Sequence, residues 1–189
     1  MASSTKQAII ASFLKLCAQK SPDKITVRDI VDDCDINRNT FYYYFQDIYA
    51  VLEEIFCIWT QSLDGICEAD GDITQSLCSV ADWAAEHKRA VVNIFRGLDG
   101  TVLEDYYLSA VTERWRSWVR LYAKDDVSTE AVNYVSMTLS IGAFSVIRRW
   151  VRNSMRDDPH LIMEHYSRTC LSDVERMLSN YQSSFGKNR

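Results

Sequence analysis

The sequence is poor in the residues that interrupt regular structure. Its 189 residues include 6 Gly and 2 Pro, so turns are few and long helices are favoured over a many-turned β fold. No apolar run approaches the roughly 20 residues of a membrane helix. The opening stretch, MASSTKQAII, lacks the basic segment followed by an apolar one that marks a secretory leader. The expectation is a cytoplasmic protein without a membrane part, in a reducing compartment. The six cysteines, at 17, 34, 57, 67, 78 and 170, then read as free thiols and not as a disulfide framework. No two form C-x-x-C, and those at 17, 34, 57 and 170 fall on apolar helix stripes, where Cys behaves as a small buried hydrophobe.

An excess of positive charge is also missing. The net charge is −5: residues 1–47 carry 6 Lys/Arg against 6 Asp/Glu, residues 48–147 carry 7 against 15, and residues 148–189 carry 8 against 5. That distribution argues against a non-specific nucleic-acid coat and leaves room for DNA contact through one small surface. Catalytic patterns are absent too. His87 stands alone, and His160 and His165 are five apart, not the i, i+4 of a helical metal pair. There is no Gly-rich phosphate loop, nucleophile elbow or H-E-x-x-H. No enzyme, metal site or cofactor is expected.

What is present is helical periodicity. Ile10, Phe13, Leu14 and Cys17 recur at i, i+3, i+4 and i+7, an amphipathic helix over about 5–19 that SPDK ends. Val27, Ile30, Val31 and Cys34 repeat the spacing, behind Thr26 as N-cap and Asp29 three residues on. Asp35 sits at the turn, where a residue tolerant of positive φ is wanted. Ile36 is a lone apolar plug, and Asn37 caps a third short helix from Arg38 to about Phe45. Two short helices joined by a tight turn make a helix-turn-helix. The third holds five aromatics in succession, Phe41 to Phe45. Phe41 and Phe45 share one face and pack inward. Tyr42 and Tyr43, and partly Tyr44, point elsewhere, where phenols meet sugars and phosphate oxygens. The same spacing suits a Tyr-rich protein interface.

Beyond Asp47 a long helix is expected to Cys67, ended by EADGD. A helix capped by Asp72 follows to about His87, then a short one over RAVVNIFRGL and longer ones at 101–122, 129–152 and 160–181. No strand or repeat is apparent. The chain reads as all-α, with about nine helices.

Residues 25–56, ITVRDIVDDCDINRNTFYYYFQDIYAVLEEIF, resemble the DNA-binding region of the TetR (tetracycline-repressor) family of transcriptional regulators. The matching elements are TVRDI, the apolar plug after the turn, T-F-Y-x-x-F in the recognition helix, and a Leu early in the next helix. NRNTFYYYF and IRRWVRNSMRDDPHLI (147–162) resemble a subgroup that includes regulators of dihydroxyacetone-kinase operons. The resemblance implies a homodimer on a palindromic double-stranded operator, with a DNA-binding head at 1–47 and a ligand-binding and dimerisation body at 48–189. A small-molecule effector of unknown identity would change the spacing of the two heads. Carried over residue by residue, Thr26 and Asn37 meet phosphates and Arg28 reaches the groove. Arg38, Asn39 and Thr40 read bases. Tyr42 and Tyr43 touch backbone and bases, and Tyr44 replaces a frequent phosphate-binding His. Arg can read guanine O6 and N7, and Asn adenine N6 and N7. Two departures stand out: Cys34 and Asp35 replace a small residue and a Gly, and Ile48 replaces a phosphate-binding Lys. Some relatives in the subgroup act as co-activators, so a protein-interaction module with weak DNA binding is the alternative.

In the body, Trp83, Phe95, Tyr106, Trp115, Trp118 and Phe144 are candidate walls of a ligand cavity, although aromatics at helical spacing also serve as plain core. Small residues in SIGAFSVIRRWV and the stripe of the last helix suggest a four-helix dimer interface through Gly142, Ala143, Val146, Met163, Tyr166, Cys170, Val174 and Met177. Arg148, Arg149, Arg152 and Arg156 read as a basic helix end or as a partner for the acidic mid-section.

Overall fold

The computed structural model describes residues 2–67 and 72–185. Most of the expected EADGD turn (68–71) and the side chain of Cys67 lie outside the described residues. Ten α-helical segments are present and no strand occurs among the described residues. They are α1 (Ala2–Cys17), α2 (Val27–Cys34), α3 (Arg38–Tyr44), α4 (Ile48–Trp59), α5 (Ile73–Glu86), α6 (Lys88–Gly97), α7 (Gly100–Arg120), α8 (Thr129–Arg152), α9 (Pro159–Tyr166) and α10 (Val174–Phe185). Side-chain caps start most of them. Asp47, Asp72, Asp99, Ser128 and Asp158 each accept from main-chain N–H groups of the first turn they precede, satisfying donors that have no helical partner.

Two boundaries differ from the sequence expectation. The long helix after Asp47 does not reach Cys67: α4 ends at Trp59, and Gln61–Cys67 is a 3₁₀ segment. Thr60 is fully buried there, and its hydroxyl donates to the Phe56 carbonyl at 2.8 Å, a back-bond that bends a helix. The last helix is also not uniform. A π-helical turn, Ser167–Leu171, separates α9 from α10. The extra residue in that turn moves the inward face onto Leu171 and leaves Cys170 exposed, so Cys170 is not the buried stripe residue expected.

Among the described residues one apolar core runs from α1 to α10. In the head, Ile9, Phe13, Ile30, Phe41 and Phe45 converge from α1, α2 and α3. In the body, Trp115, Tyr107, Phe144, Leu139 and Ile147 hold α7 against α8. α8 has the length and composition of a membrane span, although polar residues interrupt its apolar ones. Its apolar side is spent instead on packing, with Ala131, Val135, Ala143, Phe144 and Ile147 buried. Head and body meet at α6: the Asn93 side-chain amide donates to the Cys17 carbonyl at 2.8 Å, and Gly97 lies against Ser21 and Pro22, where no Cβ would fit.

Candidate nucleic-acid interface

The α2–turn–α3 unit is fixed by local chemistry. Thr26 and Asp29 form a reciprocal capping box. The Thr26 N–H donates to Asp29 Oδ2 at 2.8 Å and the Asp29 N–H to Thr26 Oγ1 at 3.2 Å. Lys20 adds an ion pair at 3.0 Å. These bonds hold the Asp29 carboxyl down at about 2, the Thr26 main-chain bond being the largest cause. α2 ends at Asp35 in the left-handed conformation, φ 52 and ψ 47, as the turn position requires. The N–H of Ile36 then bonds back to Val31 at 3.1 Å, which turns the chain into α3. Asn37 Oδ1 accepts from both the N–H and the hydroxyl of Thr40, at 2.8 and 3.1 Å.

α3 has two distinct faces. Phe41 and Phe45 are buried, with rings 6.1 Å apart. Arg38 and Asn39 are exposed, as are Tyr42 at 55% and Tyr43 at 79%. Tyr42 stands edge-on to Phe41 at 5.6 Å, and Tyr44, half-buried, stands edge-on to Tyr43 at 4.9 Å. Buried Phe41 therefore braces Tyr42, and half-buried Tyr44 braces Tyr43; ordering an exposed phenol in advance lowers the entropy lost on binding. Thr26, Arg28 and Asn37 are also exposed, and Thr40 is half-buried. Tyr49, 44% exposed at the start of α4, was not singled out from the sequence, because its apolar neighbours made it read as part of a helix stripe.

Most positive charge in the head is already engaged. Lys6 pairs with Glu54 at 2.7 Å, Lys15 with Asp33 at 2.6 Å, Lys20 with Asp29 and Arg28 with Asp32 at 3.5 Å. Lys24 and Arg38 alone among the described head cations stand outside any ion pair. At the start of α4 the Asp47 carboxylate accepts from the N–H groups of Tyr49 and Ala50, at 2.8 and 2.9 Å. Ile48 is half-buried against the core. That helix start offers a phosphate no lysine, and two of its first-turn N–H groups are already taken by Asp47.

In the body, the six aromatics expected around a cavity pack largely on one another and on their neighbours. Trp115, Trp118 and Phe144 are buried. Phe144 stacks on Tyr107 at 5.0 Å and lies 6.1 Å from Phe95, Trp83 lies 6.3 Å from Trp59, and Tyr106 stacks on Phe56 at 5.9 Å. Phe95 is the one of the six that borders a described cleft, of about 370 Å³, between α6 and α8. Larger clefts of about 670 and 690 Å³ lie elsewhere, at α10 and at the end of α8. Trp115 and Tyr107 are both buried, and the Trp115 indole and the Tyr107 phenol face each other as a polar pair inside the core. Burial raises the Tyr107 phenol far above its ordinary range.

The residues expected at a dimer interface divide. Ala143, Met163, Tyr166 and Val174 are buried within the chain itself, so they have no surface left for a partner. The small residues of α8 admit this chain's own α9: Tyr166 covers Gly142, and its phenol donates to the Leu139 carbonyl. Gly142, Val146 and Met177 are half-buried, and Cys170 is exposed. The apolar side chains that α8 and α10 do present outward are Tyr134 (53% exposed), Met137 and Phe185 (65%), with Tyr181 half-buried between the rings. Tyr134, Tyr181 and Phe185 form a continuous run of rings 5.1 and 5.2 Å apart.

A three-helix head with a short, capped recognition helix defines a helix-turn-helix protein. Residues 9–55 match the family model for bacterial regulatory proteins of the tetR family, and residues 71–171 match that for a transcriptional regulator C-terminal region. The chain belongs to the TetR family of transcriptional regulators. Its fold is similar to a TetR transcriptional regulator from Streptococcus agalactiae (TM-score 0.62, 16% identity, 89% of this chain and 94% of that one). It is equally similar to the fatty acid degradation regulator FadR from Bacillus halodurans (0.62, 15%, 89% and 95%). A dihydroxyacetone kinase operon activator, DhaS, follows (0.59, 16%, 91% and 97%). No curated protein sequence matches the chain.

Proposed function

We propose that the chain is a cytoplasmic, homodimeric regulator that reads a palindromic DNA operator through α3 and answers to a small-molecule effector. The carrying observation is the division of α3: Phe41 and Phe45 anchor it, while Arg38, Asn39, Tyr42 and Tyr43 stand exposed. In this reading residues 1–47 are the head and 48–189 the body. Arg38, Asn39 and Thr40 read base edges; Thr26, Asn37, Tyr42, Tyr43 and Tyr44 position the helix on the backbone, and Arg28 reaches the groove. For Arg28 to do so its ion pair with Asp32 must open, which costs little at so exposed a site. Thr26 offers less than the family pattern implies, since its hydroxyl proton already goes to Asp29 at 2.8 Å.

The dimer surface is assigned to the exposed rings of α8 and α10, Tyr134 and Phe185, bridged by the half-buried Tyr181, with Met137. Ring rows left uncovered on two neighbouring helices have the makeup of an interface centre. The effector is assigned to the side of the body where Phe95 borders the α6–α8 cleft.

A second reading, a co-activator with weak DNA binding of its own, is favoured by the paired head cations and by Asp47 and Ile48 at the start of α4. Two unpaired cations per head give a dimer with about four, and a log–log salt slope near −4. Two substitutions separate the readings. Arg38→Ala should relax base preference at one operator position, by about 1–3 kcal/mol, whereas Tyr42→Phe should weaken binding evenly across sequences. Equal loss on every DNA for both variants would remove Arg38 from base reading.

A further inference from the structure

The body is acidic overall, yet one cleft on it is lined by arginines. Arg96 from the last turn of α6 and Arg148 and Arg152 from α8 surround the cleft of about 370 Å³, whose apolar floor is Val92, Phe95 and Val151. None of the three forms an ion pair among the described residues, although nine such pairs occur elsewhere. Asp99, beside Gly100, accepts from the Thr101 N–H at 2.8 Å, and Asp157, which shares a neighbouring cleft with Arg152, accepts from the Asn153 side-chain amide at 2.8 Å. The Arg148 guanidinium lies over Gly100, where an added Cβ would collide with it. Three arginine side chains lining one small space repel one another, and an anion between them reverses the sign of that interaction. Planar forks of this kind bind phosphate and carboxylate oxygens with two parallel bonds each. We propose that the cleft between α6 and α8 binds a small oxyanionic effector, phosphoryl or carboxylate, through Arg96, Arg148 and Arg152, with its carbon portion on Val92, Phe95 and Val151.

The consequence follows from α6. Val92, Phe95 and Arg96 line the cleft, while Asn93 and Gly97, on the neighbouring face of the same helix, hold Cys17, Ser21 and Pro22 of the head. An anion that draws Arg96 toward α8 turns a helix that carries the head. This consequence rests on the regulatory reading above; binding itself does not.

The test uses the full chain, with sodium pyrophosphate and sodium succinate as separate probes and ionic strength held with sodium chloride. Calorimetric titration should show one probe binding once per chain and raising the thermal midpoint. Pyrophosphate binding marks a phosphoryl ligand, succinate binding a carboxylate one. The double variant Arg148→Gln/Arg152→Gln should weaken that binding at least tenfold, with its ligand-free midpoint near that of the wild type. Arg96→Gln, on another helix, should do the same, so a folding defect in the double variant does not decide the matter. No binding of either probe, or equal binding to all variants, overturns the proposal. So does a shallower salt dependence of DNA binding in the variants with probe affinity unchanged, since the arginines would then serve DNA. None of these failures touches the reading of α3.

Discussion

Asn37 separates folding of the recognition helix from its contact with DNA. α3 has seven residues, too few to persist alone, and its start depends on Asn37 Oδ1 accepting two hydrogen bonds from Thr40. Asn37→Ala leaves the Thr40 N–H without its partner and should cost about 1–2 kcal/mol, roughly 2–8 °C for a chain of this size. Asn37→Asp keeps the acceptor and puts a negative charge at the positive end of the helix. Its stability should stay within about 0.5 kcal/mol of the wild type or rise slightly. The same carboxylate faces the DNA phosphates. At 4 Å the repulsion is about 1–4 kcal/mol for effective dielectric constants between 80 and 20, roughly a fivefold or greater loss of affinity at each half-site. Thermal unfolding and fluorescence anisotropy on one operator DNA measure both quantities. Asn37→Asp should be as stable as the wild type and bind much more weakly. An Asp variant that binds as the wild type does would mean that the start of α3 does not face the DNA backbone.

Other perturbations probe different parts of the account. Asp35→Gly should stabilise the protein by about 0.5–1 kcal/mol in denaturant unfolding, because glycine takes the left-handed conformation without steric cost; a loss of stability would mean that the turn depends on the carboxylate. His160 Nε2–H donates to the Asp82 carboxylate at 2.7 Å across α9 and α5, and that carboxylate raises its pKa. The stability from this pair is therefore full below about pH 6.5 and fades as pH rises through the raised value. His160→Gln should cost under about 1 kcal/mol at pH 6 and less at pH 9, and an equal cost at both would assign the effect to packing. Tyr134→Lys combined with Phe185→Ser should yield a folded monomer by sedimentation; a persistent dimer would move the interface to another face.

Short-range chemistry made the head legible. Thr26 with Asp29, Asp35 at the turn and Asn37 before α3 each act within three or four residues, so spacing alone located them, and the structure places them as caps and turn. The body was less legible for two reasons. A stripe such as Ala143, Met163, Tyr166 and Val174 shows that a helix face is covered, not whether a partner or the same chain covers it. The π turn at 167–171 then shifted the register, so the 3- and 4-residue steps of the last helix mixed inward and outward positions. The aromatics posed a similar problem. Trp115 and Trp118 have the composition of a pocket wall, and only the packing of α7 on α8 makes them core. The cluster joins Arg96 to Arg148 and Arg152, more than fifty positions away; Arg148 and Arg152 read in sequence as part of a basic helix end, and nothing in the spacing tied Arg96 to them.

Selection of bound sequences from a random DNA pool by the purified protein at low salt, run beside the Arg38→Ala variant, tests the central claim most directly. The account predicts an enriched palindrome for the wild type and loss of preference at one symmetric pair of positions for the variant. A folded wild-type protein that enriches no sequence would contradict it, and α3 would then be a surface for another protein.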